Sequence, residues 1–158
     1  MLIRPAKEGD ATVLTDLCMV SKQSNGYDDA FMEACREELR VTPERLGSQQ
    51  FWVAENAPHI CGCVCLEVDS ERKRAEVCAF FVHPDWQRKG VGRLLWVPVL
   101  QAAGEQNLEM LHLDADPAAV PFYQSLGFVT VGENPSGSIP GRTIPYMELP
   151  LDGMRAST

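Results

Sequence analysis

Apolar and polar residues along this chain follow two alternating periods, and each change of period marks an element. Leu2 to Ala6 reads as a short strand, and from Asp10 the apolar positions Val13, Leu14, Leu17, Cys18 and Val20 recur at helical spacing. Asp10 stands where a helix N-cap is expected. Asn25-Gly26 signals a turn, and Asp28 or Asp29 then opens a second helix with Phe31, Met32, Cys35 and Leu39 inward and Glu33, Arg36 and Glu37 outward. Phe51 to Glu55, His59 to Val68 and Ala75 to Val82 are strand-like, separated by the turns Asn56-Ala57-Pro58 and Asp69 to Lys73. Three successive strands joined by hairpins are expected there. A helix from Gly92 to about Gly104 follows, with Leu94, Leu95, Val99 and Leu100 as its apolar positions and Pro98 inside it, where the missing N–H should bend it. Met110 to Asp114 is an apolar strand, Asp116 to Leu126 a helix, and Phe128 to Val131 a further strand. A loop rich in Gly, Ser and Pro, Asn134 to Gly141, precedes Ile144 to Leu149, which is expected as an edge strand.

The order β-α-α-β-β-β-α-β-α-β-β predicts an α/β fold of the α+β type: a mixed, mostly antiparallel sheet of six to seven strands with helices on both faces. A chain of 158 residues suits one domain with one core. That domain is expected over residues 1–151, with 152–158 as a frayed tail. No apolar run reaches membrane-span length and no charged-then-apolar leader opens the chain, so the expectation is a cytoplasmic protein without a membrane partner. The formal net charge of −8 argues against nucleic acid as a partner.

The six cysteines invite a metal reading, since Cys61, Cys63 and Cys65 share one face of a strand with His59. Neighbours at i and i+2 on a straight strand lie about 6.5–7 Å apart. That is too far for convergence on a tetrahedral zinc ion and poor for disulfide closure. All six are read as core thiols, and no metal site is expected.

One stretch carries chemistry. Arg74 to Val82 runs as a strand into a Pro-containing turn, and Gln87-Arg88-Lys89-Gly90-Val91-Gly92 then opens directly into a helix. Unpaired backbone N–H groups at a helix start, with the helix dipole behind them, form an anion site suited to a diphosphate. Gly90 and Gly92 are expected to let the backbone approach the anion, and Arg88, Lys89 and Arg93 add positive charge. A P-loop would need Gly-Lys-Ser/Thr here, and a dinucleotide fold a third glycine; neither is present. With its Gln/Arg-x-x-Gly-x-Gly/Ala pattern, the stretch resembles the coenzyme A turn of the GNAT superfamily of acyl-CoA-dependent N-acetyltransferases. A second match follows in Asp116-Pro117-Ala118-Ala119-Val120-Pro121-Phe122-Tyr123-Gln124-Ser125-Leu126-Gly127-Phe128, which is similar to that family's C-terminal signature. Asp116 and Pro117 suit a helix start, and Gly127 suits its end.

The resemblance implies the GNAT sheet and an acetyl transfer from acetyl-CoA to a primary amine of a small molecule or peptide, by direct attack. It places the cosubstrate's pantetheine arm beside the backbone of Phe80, Phe81 and Val82, freed by a local bulge and a splay between strands. The pyrophosphate would lie on the turn from Gln87 through Arg88, Lys89, Gly90, Val91 and Gly92 to Arg93. Tyr123 matches the family's general acid, and Glu76 stands at the offset of a glutamate that deprotonates the amine, often through water. Arg74 offers Glu76 a plain structural pairing instead. Where the family has Asn seven residues before the Tyr, this chain has Asp116, which when ionised cannot donate to the cofactor; the cap and a cofactor contact are both assigned to it. Pro121 is placed to shift Tyr123. The acceptor would be shaped by Gln23 to Phe31 and Asn134 to Thr143, and a homodimer is compatible. The alternative is a non-catalytic acyl-CoA-binding sensor using the same turn.

Overall fold

The structure, a computed structural model, describes residues 1–151; the expected tail at 152–158 lies outside the described residues. Seven strands form one sheet in the order β1-β2-β3-β4-β5-β7-β6. They are β1 (Leu2–Pro5), β2 (Gln50–Asn56), β3 (His59–Asp69), β4 (Arg74–Val82), β5 (Met110–Asp114), β6 (Val129–Pro135) and β7 (Thr143–Pro150). Every neighbouring pair is antiparallel except β4 and β5. The helices are α1 (Ala11–Gln23), α2 (Asp29–Leu39), α3 (Pro43–Ser48), α4 (Val91–Glu105) and α5 (Val120–Ser125).

Two cores flank the sheet. On one face, Val91, Leu95, Trp96, Val99, Ala102 and Ala103 of α4 pack on Val64, Leu66, Ala75, Val77 and Leu111. On the other, Leu14, Leu17 and Cys18 of α1 pack on Phe51, Val53, Cys63 and Cys65. Burying such side chains stabilises the fold by about 1.5–3 kcal/mol each, so the apolar periodicity decides which way each helix turns. It was read one position too widely at three places: Val13 and Val20 on α1 and Leu94 on α4 face outward, at 49%, 45% and 44% exposure. Small Ala11 and Ser21 complete the inward face of α1 instead.

Several local expectations are corrected. β7 is interior, between β5 and β6, and β6 is the edge. α3 was not anticipated; Thr42 accepts from the Arg45 N–H and Pro43 begins the helix, which is a standard start signal for a segment too short to show periodicity. Asp10 makes no side-chain cap bond to α1, because its carboxylate accepts the Lys7 N–H at 2.8 Å and pairs with Arg4 at 3.0 Å. Asp28 is the cap of α2, accepting from the Phe31 N–H at 2.8 Å.

All six cysteines are free. Cys18 and Cys63 sulfurs lie 4.0 Å apart, and Cys65 stands opposite Cys78 across β3 and β4.

Candidate active site

The site begins where the sheet comes apart. β4 and β5 pair only at Arg74–Met110, Ala75–Leu111 and Glu76–His112. Beyond Glu76, β4 runs on to Val82 with no register partner on β5, so the two strands part. A bulge lies in the same stretch: between the pairs Cys63–Phe81 and Cys65–Cys78, β4 gains one residue over β3, and Ala79 takes φ +48°. The extra residue sets the facing of the strand. Cys78 and Ala79 both pack towards α1, while Phe80 and Val82 return to the α4 core and Phe81 faces α1.

α4 starts at the end of β4. Gly90 is its N-cap with φ +82°, a left-handed conformation that favours glycine, and Arg88 is also left-handed at φ +63°. The first helical bond runs from the Leu94 N–H to the Gly90 carbonyl at 3.1 Å, so the first-turn amides before Leu94 have no acceptor within the helix. A Cβ on Gly90 would meet nothing within 4 Å. Gly92 differs: a Cβ there would stand 2.9 Å from Cζ of Phe122. Its smallness admits the α5 ring to the helix, a packing role beside the expected approach of an anion to its backbone.

Gln87, Arg88 and Lys89 are exposed around this turn. The Gln87 side chain is turned back, donating to the Val82 carbonyl at 3.1 Å, and Ser21 donates to the same carbonyl at 2.9 Å. Lys89 lies over the Trp86 ring at 5.3 Å, and Arg93 donates to the Ser125 hydroxyl at 3.0 Å.

α5 forms the opposite wall. Asp116 caps a short 3₁₀ turn, accepting the Ala118 N–H at 2.9 Å, and Pro121 sits in the first turn of the α-helix that follows. There Pro lacks no needed N–H, so Pro121 begins α5 and does not distort its interior. The helix ends with Phe128 N–H on the Tyr123 carbonyl and Gly127 N–H on that of Gln124, Gly127 having φ +105°: a Schellman close. Tyr123 is thereby fixed among Phe80, Phe122 and Phe128, with ring centroids 5.7–6.1 Å away. It is 8% exposed. Burial, reinforced by the nearby Asp116 and Cys78, pushes its phenol above its ordinary pKa.

The α1 face of the sheet carries a polar floor here. Glu67, Glu76, His112 and Glu148 stand in register across β3, β4, β5 and β7. Burial, with Asp114 and Glu67 adding negative potential, raises the Glu76 carboxyl above the usual range. Burial and Arg74 hold His112 low, favouring neutral imidazole. Arg74 does not pair with Glu76; it reaches Tyr146 at 2.8 Å and Glu148 at 3.4 Å.

Sequence reasoning missed a second cluster. Asp116 also accepts from the Tyr27 hydroxyl at 2.8 Å and from Lys22 at 3.1 Å. Burial opposes ionisation of Asp116, but the Ala118 N–H, Tyr27 and Lys22 together hold its carboxyl below the usual range. Arg142 donates to the same Tyr27 hydroxyl at 2.7 Å. The segments 23–31 and 134–143, which the resemblance makes the shapers of the acceptor site, meet at this bond. No local pattern announces it, since its members come from three separate parts of the chain.

This fold and sequence define a class. The chain belongs to the GNAT acetyltransferase family: the model of the family described as "Acetyltransferase (GNAT) domain" matches residues 18–138. Human N-acetyltransferase 8 is 31% identical over 112 residues, covering 65% of this chain, which spans 49% of that protein. Among solved structures, the PaiA N-acetyltransferase of Thermoplasma acidophilum, in complex with coenzyme A, superposes with a TM-score of 0.75 at 18% identity, covering 93% of this chain and 96% of that one. The yncA product of Salmonella typhimurium, a putative acetyltransferase with its cofactor acetyl-CoA, does so with a TM-score of 0.68 at 22% identity, covering 96% and 94%. No helix among the described residues is long and apolar enough to cross a membrane.

Proposed function

We propose that the protein transfers acetyl from acetyl-CoA to a primary amine of a small molecule or peptide by direct attack. The observation that carries this reading is the parting of β4 from β5 between a donor-rich helix start and Tyr123, whose ring is buried while its hydroxyl, not fully enclosed, makes no hydrogen bond among the described residues. A pyrophosphate suits the first-turn amides of α4 and the open space at Gly90, with Arg88, Lys89 and Arg93 supplying charge around Val91 and Gly92. Gln87 serves by bracing that turn against β4. An extended amide-bearing arm suits the bulged backbone of Phe80, Phe81 and Val82. Asp116, committed to Lys22 and Tyr27, would border the acyl end without donating to it.

In the reaction the amine nitrogen bonds to the thioester carbonyl carbon, the carbon–sulfur bond breaks, and one N–H proton must leave. Glu76, with its raised carboxyl pKa, is the acceptor of that proton, directly or through water. Burial keeps Tyr123 a neutral phenol, the form that can donate to the departing thiolate. The test is an amine panel incubated with acetyl-CoA, followed by thiol release and product mass. Acetyl-CoA binding without transfer to any amine would replace this reading with a non-catalytic acyl-CoA sensor. The protein is further proposed to act in the cytoplasm, without nucleic acid or metal, as a monomer or homodimer.

A further inference from the structure

The acceptor's own charge is inscribed in the walls of the site, an inference that rests on the transfer reading above. Arg142, half-buried just before β7, donates one N–H to Tyr27 and lies over two rings, with its guanidinium 5.3 Å from the Tyr27 centroid and 5.1 Å from that of Phe31. Those rings stack on each other at 4.0 Å and 8°. The guanidinium lies against these rings with one side-chain hydrogen bond, so most of its five N–H donors remain to be used. Among the described residues no carboxylate lies within 4 Å of it. Of the other part-buried lysines and arginines among the described residues, Lys22 pairs with Asp116 at 3.1 Å, Arg74 with Glu148 at 3.4 Å and Arg4 with Asp10 at 3.0 Å, while Arg45, over the Phe51 ring and bonded to Gln49 and the Arg40 carbonyl, also has no carboxylate within 4 Å. Arg142 differs from Arg45 in being tied through Tyr27 to Asp116, at the start of the α5 wall, where none of the chain's 22 acidic residues pairs with it among the described residues.

The floor presents the complementary case. Glu76 makes no ion pair among the described residues, since Arg74 is turned to Tyr146 and Glu148. Asp114 and Glu67 add to the negative potential there, and Arg45, which makes no ion pair with Glu76, offsets part of it. The site therefore has an unpaired carboxylate pole on β4 and an unpaired guanidinium pole in the β6–β7 connection. β5 ends at Asp114, and Asp116, just beyond it, is two hydrogen bonds from Arg142 through Tyr27.

We propose that the acceptor is an amino acid, a primary amine that carries a carboxylate in the same small molecule, and that Arg142 is the receptor for that carboxylate. A planar guanidinium fork fits a carboxylate bidentately, which Lys cannot reproduce. A neutral amine would leave this fork unsatisfied.

The test pairs each proteinogenic α-amino acid with its α-carboxamide, and adds β- and γ-amino acids to read the span between the poles. An amide lowers the pKa of its own amine, so rates are compared at equal free-amine concentration. In the wild type, kcat/KM for the best acid should exceed that for its amide at least tenfold. In Arg142→Gln that ratio should collapse towards one, through KM for the acid, and Arg142→Lys should restore it only in part. Absence of a preference in the wild type, or an unchanged ratio in Arg142→Gln, overturns the assignment. If acetyl-CoA binds but no amine is acetylated, the transfer reading fails by itself. Calorimetric titration of the same amino acids into the coenzyme A complex then decides: binding lost in Arg142→Gln sustains the carboxylate receptor, and no binding by wild type removes it.

Discussion

Replacing Gly92 with Ala sets two effects of known size against each other. Gly92 lies in the first turn of α4 with ordinary helical geometry, so Ala there should gain about 0.5–1 kcal/mol from reduced backbone entropy of the unfolded chain. The added methyl would stand 2.9 Å from Cζ and 3.3 Å from Cε1 of Phe122. The ring cannot retreat freely, since Phe80 meets it edge-on at 5.5 Å and Tyr123 lies at 5.7 Å. Overpacking of this kind costs about 1–3 kcal/mol. The clash wins, and Gly92→Ala should lose roughly 1 kcal/mol, or about 2–4 °C in Tm. Phe122→Leu removes the ring edge, so in that background Gly92→Ala should recover its helical gain. Urea denaturation of the four proteins of this cycle yields the coupling, expected at about 0.5–3 kcal/mol. A coupling of zero, or a Gly92→Ala protein more stable than wild type, would refute the claim that Gly92 is small to admit Phe122.

Gly90 should behave differently, because strain and charge act there without a clash: Gly90→Ala and Gly90→Glu share the cost of a left-handed residue, yet calorimetry should show at least tenfold weaker acetyl-CoA binding for Glu than for Ala, about 1.4 kcal/mol, and equal affinities would remove the diphosphate from this turn. Tyr123→Phe should lower kcat by ~10²–10⁴-fold with acetyl-CoA affinity retained; an unaltered kcat withdraws the proton donor. For Glu76 the folded-state pKa is raised, mainly by burial, so the ionised carboxylate destabilises the fold at neutral pH and the protonated form below the unfolded-state value does not. Glu76→Gln should therefore match wild type in Tm at acid pH and exceed it progressively as pH rises through the carboxylate range, while its kcat/KM falls and the remaining rate climbs with pH; a Tm difference independent of pH, or a wild-type rate profile, counts against the raised pKa and the base role respectively.

Much of this architecture was legible because it is written locally. Period-2 and period-3.6 runs located β2 to β5 and α1, α2 and α4. Gly127 and Asp28 announced a helix end and a helix start through backbone demands that few other residues meet. What stayed hidden is set by register and distance. That β7 inserts between β5 and β6 is invisible in a strand pattern, as is the extra residue of β4 that turns Ala79 and Phe80 to their faces. Gly92 and Gly90 look equivalent in sequence and differ because one faces a ring and the other faces space. Lys22, Tyr27, Asp116 and Arg142 are ordinary residues until three distant stretches of chain bring them together. The roles of Glu76 and Tyr123 came from the resemblance; the structure adds their surroundings, notably the release of Glu76 from Arg74.

The three-residue seam between β4 and β5 has a mechanical consequence. It divides the sheet into two plates, β1 to β4 and β5 to β7, joined by a short hinge line, by the Arg74 bonds to Tyr146 and Glu148, and by the apolar core that α4 shares with Leu111 and Leu113. A molecule wedged into the opening would touch both plates and act as a brace. Its binding free energy would then appear as rigidity across the seam, adding about 2.7 kcal/mol of stability at a concentration one hundred times Kd. Amide exchange at Leu111 and Leu113, next to the hinge line, should slow more on loading than exchange in the β2–β3 hairpin, which lies wholly within one plate.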